Sequence, residues 1–96
     1  MKKTTVLSEH MQDSLLEHMR IRVAIKRCNF GIKLAKKYFK DFEMTKFELY
    51  REYAQDILRP YYNELLAEEY LIEKYKHLYR EDFCKSKLIA EKILNI

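Results

Sequence analysis

The sequence predicts a mainly α protein, one compact domain of four to five helices, and three observations carry that expectation. One Gly and one Pro in 96 residues leave too little turn material for an all-β chain, whose strands need frequent turn signals. Apolar residues recur at three- and four-residue spacing along most of the chain. A composition that is 48% hydrophobic and 14% aromatic can fill a core and argues against a disordered tail. A chain of this length builds one core rather than two, so residues 1–96 are read as a single domain with residues 1–7 flexible.

The elements follow in order. Ser8 suits an N-cap, after which Met11, Leu15, Leu16, Met19, Val23 and Ala24 form an inward stripe. Ile21, Ile25 and Cys28 widen that stripe, as in a central or dimer-forming helix. Asn29 and Gly31, residue types that readily turn left-handed, predict its end. A second helix is expected over Ile32–Phe42, with Ala35, Phe39 and Phe42 on one side and the lysines largely on another. Met44-Thr45-Lys46-Phe47-Glu48-Leu49 combines a capping box between Thr45 and Glu48 with a staple of Met44 on Leu49, and so opens a third helix over Lys46–Ala54. That helix draws its inward residues from Phe47, Tyr50, Tyr53 and Ala54. Pro60 suits a first helical turn, which predicts a break over Gln55–Leu58 and a fourth helix carrying Tyr62, Leu65 and Leu66 inward. Over residues 70–80, Ile72, Tyr75, Tyr79 and Phe83 fit a helical stripe, and aromatic and β-branched content leaves a short strand, a small β-wing, as the alternative. A last helix over Lys85–Leu94 presents Leu88, Ile89, Ile93 and Leu94.

Charge is segregated along the chain. Arg20, Arg22, Lys26, Arg27, Lys33, Lys36, Lys37 and Lys40 occupy 20–40 with no Asp or Glu among them. Asp41, Glu43, Glu48, Glu52, Asp56, Glu64, Glu68 and Glu69 then face only Lys46, Arg51 and Arg59. The net charge is +4, so this segregation says more than the total. A local cationic surface attracts a polyanion or an acidic protein, whereas the bland alternative is a solvated face paired with the acidic block.

The segment from Met44 to Lys74, with its capped helix after Thr45, its Arg59 and aromatic pair and its Leu65-Leu66, resembles the helix-turn-helix core of winged-helix DNA-binding regulators. That resemblance implies a helix-turn-helix-like unit. It also implies that Arg59, Tyr61, Tyr62 and Asn63 stand near the start of a recognition helix, where side chains meet base edges.

No catalytic constellation is visible. His10, His18 and His77 are scattered, Cys28 and Cys84 form no C-x-x-C pair, and one Gly cannot make a phosphate loop. No enzyme, metal site or cofactor is expected, and the two thiols are read as reduced. Met1-Lys2-Lys3 leads into a polar run rather than an apolar one, and no run approaches ~20 apolar residues, so a cytoplasmic protein without a membrane partner is expected. The leading expectation is a small basic nucleic-acid-binding regulator, with DNA as the partner. Arg20, Arg22, Lys26, Arg27, Lys33, Lys36, Lys37 and Lys40 would meet phosphates while Arg59, Tyr61 and Asn63 meet bases. A homodimer through the first and last helices is expected, since so short a chain hides few apolar positions alone. The alternative is a helical interaction module, an inhibitor or adaptor of viral or mobile-element type, docking on an acidic protein through its basic surface and aromatic anchors such as Tyr61 or Phe30.

Overall fold

The computed structural model describes residues 9–41 and 48–96. The Ser8 cap, the flexible 1–7 segment, Phe42 and the Met44–Phe47 capping box and staple lie outside the described residues, as do the side chains of Met11, Phe39, Lys40 and Tyr50. Four helices account for the described chain, which is mainly α: α1 (Glu9–Asp41), α2 (Glu48–Ala67), α3 (Glu69–Lys74) and α4 (Lys76–Leu94). No strand occurs among the described residues.

The expected end of the first helix at Asn29–Gly31 is wrong: α1 runs through it for 33 residues. Gly31 does not have a positive φ, so it acts as no left-handed cap. Its missing side chain serves a close helix approach instead. A Cβ there would lie 2.5 Å from Cδ2 and 2.9 Å from Cγ of Tyr61, so only Gly lets that ring lie against α1. Asn29, rather than ending the helix, accepts a hydrogen bond from the nearly buried Ser86 hydroxyl of α4.

The break expected over Gln55–Leu58 is also absent, because α2 continues from Glu48 to Ala67 with Pro60 inside it. Proline takes away the N–H that the Asp56 carbonyl would accept. Both Pro60 and Asp56 are exposed, so water can serve that carbonyl without a burial penalty. Continuity brings Leu58 into the core, fully buried between Ala54 and Tyr62 in the helical stripe that ends at Leu65.

α4 runs parallel to α1 and antiparallel to α2, as the pairing of partners along each helix shows. Ser14 meets Tyr75, His18 meets Tyr79 and Asn29 meets Ser86 in ascending order, whereas Gln55 meets Ile93, Tyr62 meets Glu91 and Glu69 meets Lys87 in descending order. The result is an up-down-up bundle of α1, α2 and α4, with α3 turning the chain at one end. At about 50 Å, α1 is the longest element, and the molecule measures 63 × 25 × 16 Å.

Ile21, Ala24, Ile25, Cys28, Ile32 and Ala35 of α1 meet Ala54, Leu58, Tyr62 and Leu65 of α2, Leu71 and Ile72 of α3, and Phe83, Ala90 and Leu94 of α4. This corrects the stripe expected for the first helix. Of its members with described side chains Ala24 is buried, while Leu15, Leu16, Met19 and Val23 are more than half exposed. α1 carries two apolar stripes on roughly opposite sides, and the core took the one with β-branched and small residues, which permits closer helix approach. In α4, Leu88 is likewise exposed and Ile89 and Ile93 half-buried, since the inward register runs through Phe83, Ser86, Ala90 and Leu94. Asn95 ends α4 in the left-handed conformation at φ 62°, and the Asn95 and Ile96 N–H groups close back on the Lys92 and Glu91 carbonyls.

Candidate nucleic-acid interface

Because α1 does not break, its basic residues stand on one rigid rod, and helical spacing sorts them. Arg22, Lys26, Lys33 and Lys37 follow one another at steps of four, seven and four residues, which keeps them within a narrow arc facing away from the core. Lys36 borders that arc on the side of α4. All five are exposed, and none has an ion-pair partner among the described residues. Lys40 continues the spacing, with its side chain outside the described set.

Arg20 and Arg27 point the other way, toward α2, and are neutralised there. Arg27 donates from Nε and Nη2 to the two oxygens of Glu64 at 2.8 and 3.2 Å. Arg20 donates to Glu68 Oε2 from Nε at 3.3 Å and from Nη2 at 3.2 Å, and Nη2 stands 2.9 Å from Oε1. These carboxylates hold both guanidinium groups more firmly protonated than usual. Water screens pairs this exposed, so they contribute little to stability. They do remove two of the eight expected bases from the free cationic surface.

The positions expected to read bases do not share a face. Tyr61 is half-buried beside Gly31, edge-on to Phe30 at 6.2 Å between centroids and 5.2 Å beneath the Arg27 guanidinium. Arg59 and Asn63, each two residues from Tyr61 and therefore about 200° around α2, are exposed on the side turned from α1. The structure thus brings Arg22, Lys26, Lys33, Lys36 and Lys37 together. It joins Arg20, Arg27 and Tyr61 into the α1–α2 seam, and leaves Arg59 and Asn63 on a separate face.

Two features escaped the sequence. One is a polar cluster where the first turns of α1 meet the α3–α4 corner. The Tyr75 hydroxyl donates to Glu17 Oε1 at 2.6 Å and lies 3.3 Å from Ser14 Oγ, Lys74 Nζ donates to Glu17 at 2.9 Å, and His18 Nδ1 is hydrogen-bonded to the Tyr79 hydroxyl at 2.7 Å. The Tyr75 hydroxyl, with Lys74 behind it, lowers the Glu17 carboxyl below its ordinary value, and Glu17 in turn raises Lys74. Ser14 and His18 each bond to a tyrosine rather than to one another, so the cluster fastens α1 to the corner and makes no nucleophile–base pair. The other is the outward direction of the stripe of Leu16, Met19 and Val23, which the sequence shows as a stripe but not as a surface.

Among the described residues no three His, Cys, Asp or Glu side chains converge to hold a metal ion, and no helix is long and apolar enough to cross a membrane. Cys28 is fully buried and its thiol is pushed up to about 11 by desolvation, far from the reactive range; both cysteines are unbridged. Burial, aided by its hydrogen bond to Glu91 at 2.7 Å, pushes the Tyr62 phenol up to about 12. No protein family, curated protein or solved structure matches the chain.

Proposed function

We propose that this protein binds nucleic acid, DNA in the first instance, by laying the outward basic face of α1 along the phosphate backbone. The observation that carries the reading is the row Arg22, Lys26, Lys33 and Lys37 on one unbroken helix, exposed and without carboxylate partners among the described residues. Fifteen residues of helix separate its ends, about 22 Å, a length over which a duplex presents roughly a dozen phosphate charges. Each cation set beside a phosphate releases condensed counterions, so the row yields affinity without sequence selectivity. Arg59 and Asn63, on the far side of α2, take no part when a duplex lies along α1.

Fluorescence anisotropy with a labelled duplex, a single-stranded DNA and an RNA of equal length tests this. Changing Arg22, Lys26, Lys33 and Lys37 together to Gln is expected to weaken duplex binding on the order of a hundredfold at low salt, while Arg59→Gln with Asn63→Ala leaves it within about twofold. Equal affinity of the quadruple variant and the parent overturns the proposal. The variant sites are all exposed, so an unchanged far-ultraviolet circular dichroism spectrum is expected as the folding control.

A further inference from the structure

The outward face of α1 sets two lines of unlike chemistry side by side. One is the free row Arg22, Lys26, Lys33 and Lys37. The other is a ridge of Leu16, Met19, Val23 and Phe30, each more than half exposed, at steps of three, four and seven residues. At about 100° per residue the mean direction of the ridge stands roughly 60° around the helix from that of the row, and the two lines run together from Arg22 to Phe30. Phe30 is where they meet most closely: Lys26 and Lys33 stand one helical turn before and after it, and Lys37 two turns on. Tyr61 packs on Phe30 at 6.2 Å between centroids with the ring planes at 83°. Edge-on packing of this kind covers no more than one face of a ring, and Phe30 is still 52% exposed. An aromatic face is therefore held in place and left open among cations.

We infer that this ridge is a base-stacking platform: an unpaired DNA strand lies along α1 with its phosphates on the row and its bases turned to the ridge, one of them stacked on Phe30. The inference rests on the phosphate-binding reading and uses the same residues. A single strand carries the same two lines of chemistry as the helix, an anionic sugar–phosphate edge and a series of bases whose faces are apolar and aromatic. In a duplex those faces are stacked on one another, so a duplex engages the row and leaves the ridge unused. The observation that selects the ligand is the position of the anchored ring. Phe30 stands inside a run of lysines that have no carboxylate partners among the described residues, the combination of aromatic face and cationic track that single strands require. Stacking of this kind is tolerant of sequence, because every base has a π face.

Fluorescence anisotropy of the full chain tests this with three labelled probes: a mixed-sequence DNA strand of about twelve nucleotides, the same strand made abasic through its middle half, and the duplex of that sequence. The intact strand is expected to bind about tenfold more tightly than the abasic strand, which carries the same phosphates. Phe30→Leu, an exposed and charge-neutral change, should weaken the intact strand about tenfold and leave the abasic strand and the duplex within about twofold. Phe30→Trp should keep the intact-strand affinity and, with no other Trp in the chain, report stacking directly through emission quenched by the intact strand but not by the abasic one. The inference fails if the parent binds intact and abasic strands alike, a comparison that needs no variant to fold, or if Phe30→Leu binds the intact strand as the parent does. It also fails if sedimentation shows a dimer that Phe30→Leu dissolves, or if anionic vesicles are bound in a Phe30-dependent way, since either gives the ridge another occupant. Lys33→Gln should weaken all three probes. If it does so while intact and abasic strands bind alike, the platform falls and the phosphate row stands; if it changes none of them, the row falls and the platform with it.

Discussion

Replacing Gly31 with Ala adds a methyl group where the α1–α2 interface has no room for one. In an exposed helix interior the change stabilises by roughly 0.5–1 kcal/mol, because Ala loses less backbone freedom on folding. Here the new carbon would stand 2.5, 2.9 and 3.1 Å from Cδ2, Cγ and Cβ of Tyr61. Turning the ring about its Cβ–Cγ bond relieves the Cδ2 contact but leaves Cγ and Cβ in place, so the side chain must swing away or the helices move apart. Overpacking of this kind costs about 1–3 kcal/mol, which outweighs the propensity gain and leaves Gly31→Ala destabilised by about 1 kcal/mol. In a Tyr61→Ala background the ring is gone, and the same change should stabilise by roughly 0.5 kcal/mol, a coupling of about 1.5 kcal/mol. Urea denaturation followed by circular dichroism on the four proteins reads all of these values. Stabilisation by the same amount in both backgrounds would show that α1 and α2 do not approach at Gly31. A loss of about 1 kcal/mol in both would return Gly31 to the role of a left-handed helix end.

Three further outcomes follow from the same geometry. Pro60→Ala restores a donor for the Asp56 carbonyl inside α2 and should stabilise by roughly 1–3 kcal/mol in urea melts; a neutral or negative change would mean that Pro60 opens a separate helix. Glu17 is depressed in the folded state, so its contribution is complete above its ordinary value of 4.5 and is lost as pH falls through the lower folded value. The stability gap between the parent and Glu17→Gln should therefore close on acidification below 4.5, and a gap that widens there would contradict the Tyr75–Glu17–Lys74 arrangement. At neutral pH a thiol reagent should titrate half-buried Cys84 in the native protein and reach buried Cys28 only after unfolding; equal rates would place Cys28 at the surface.

Helicity was legible over most of the chain, because scarcity of Gly and Pro together with three- and four-residue apolar spacing favours it, with residues 70–80 left open between a helix and a short strand. Tyr62 and Leu65 were placed inward correctly for the same reason. The boundaries were not, since a Gly that ends a helix and a Gly that admits a neighbouring ring carry the same local signal. Only Tyr61, thirty positions away, distinguishes them. Pro60 misled in the same way: its cost depends on whether the Asp56 carbonyl reaches water, which is a property of the bundle. α1 offered two apolar stripes, and local spacing does not say which one meets the core. Once the helix is continuous, Leu16, Met19, Val23 and Phe30 become surface and Ile21, Ile25, Cys28 and Ile32 become interior. The basic block was visible as composition. Its division into a free row and the pairs Arg20–Glu68 and Arg27–Glu64 needed contacts between residues 37 to 48 positions apart.

The salt dependence of duplex affinity tests the central claim most directly. Each phosphate contact contributes about −0.9 to the slope of log K against log salt concentration. Lys33→Gln, in the middle of the free row, should make that slope shallower by about one and Arg59→Gln should leave it unchanged. Equal slopes for the parent and Lys33→Gln, or a loss confined to Arg59→Gln, would contradict the assignment of phosphate binding to the outward face of α1.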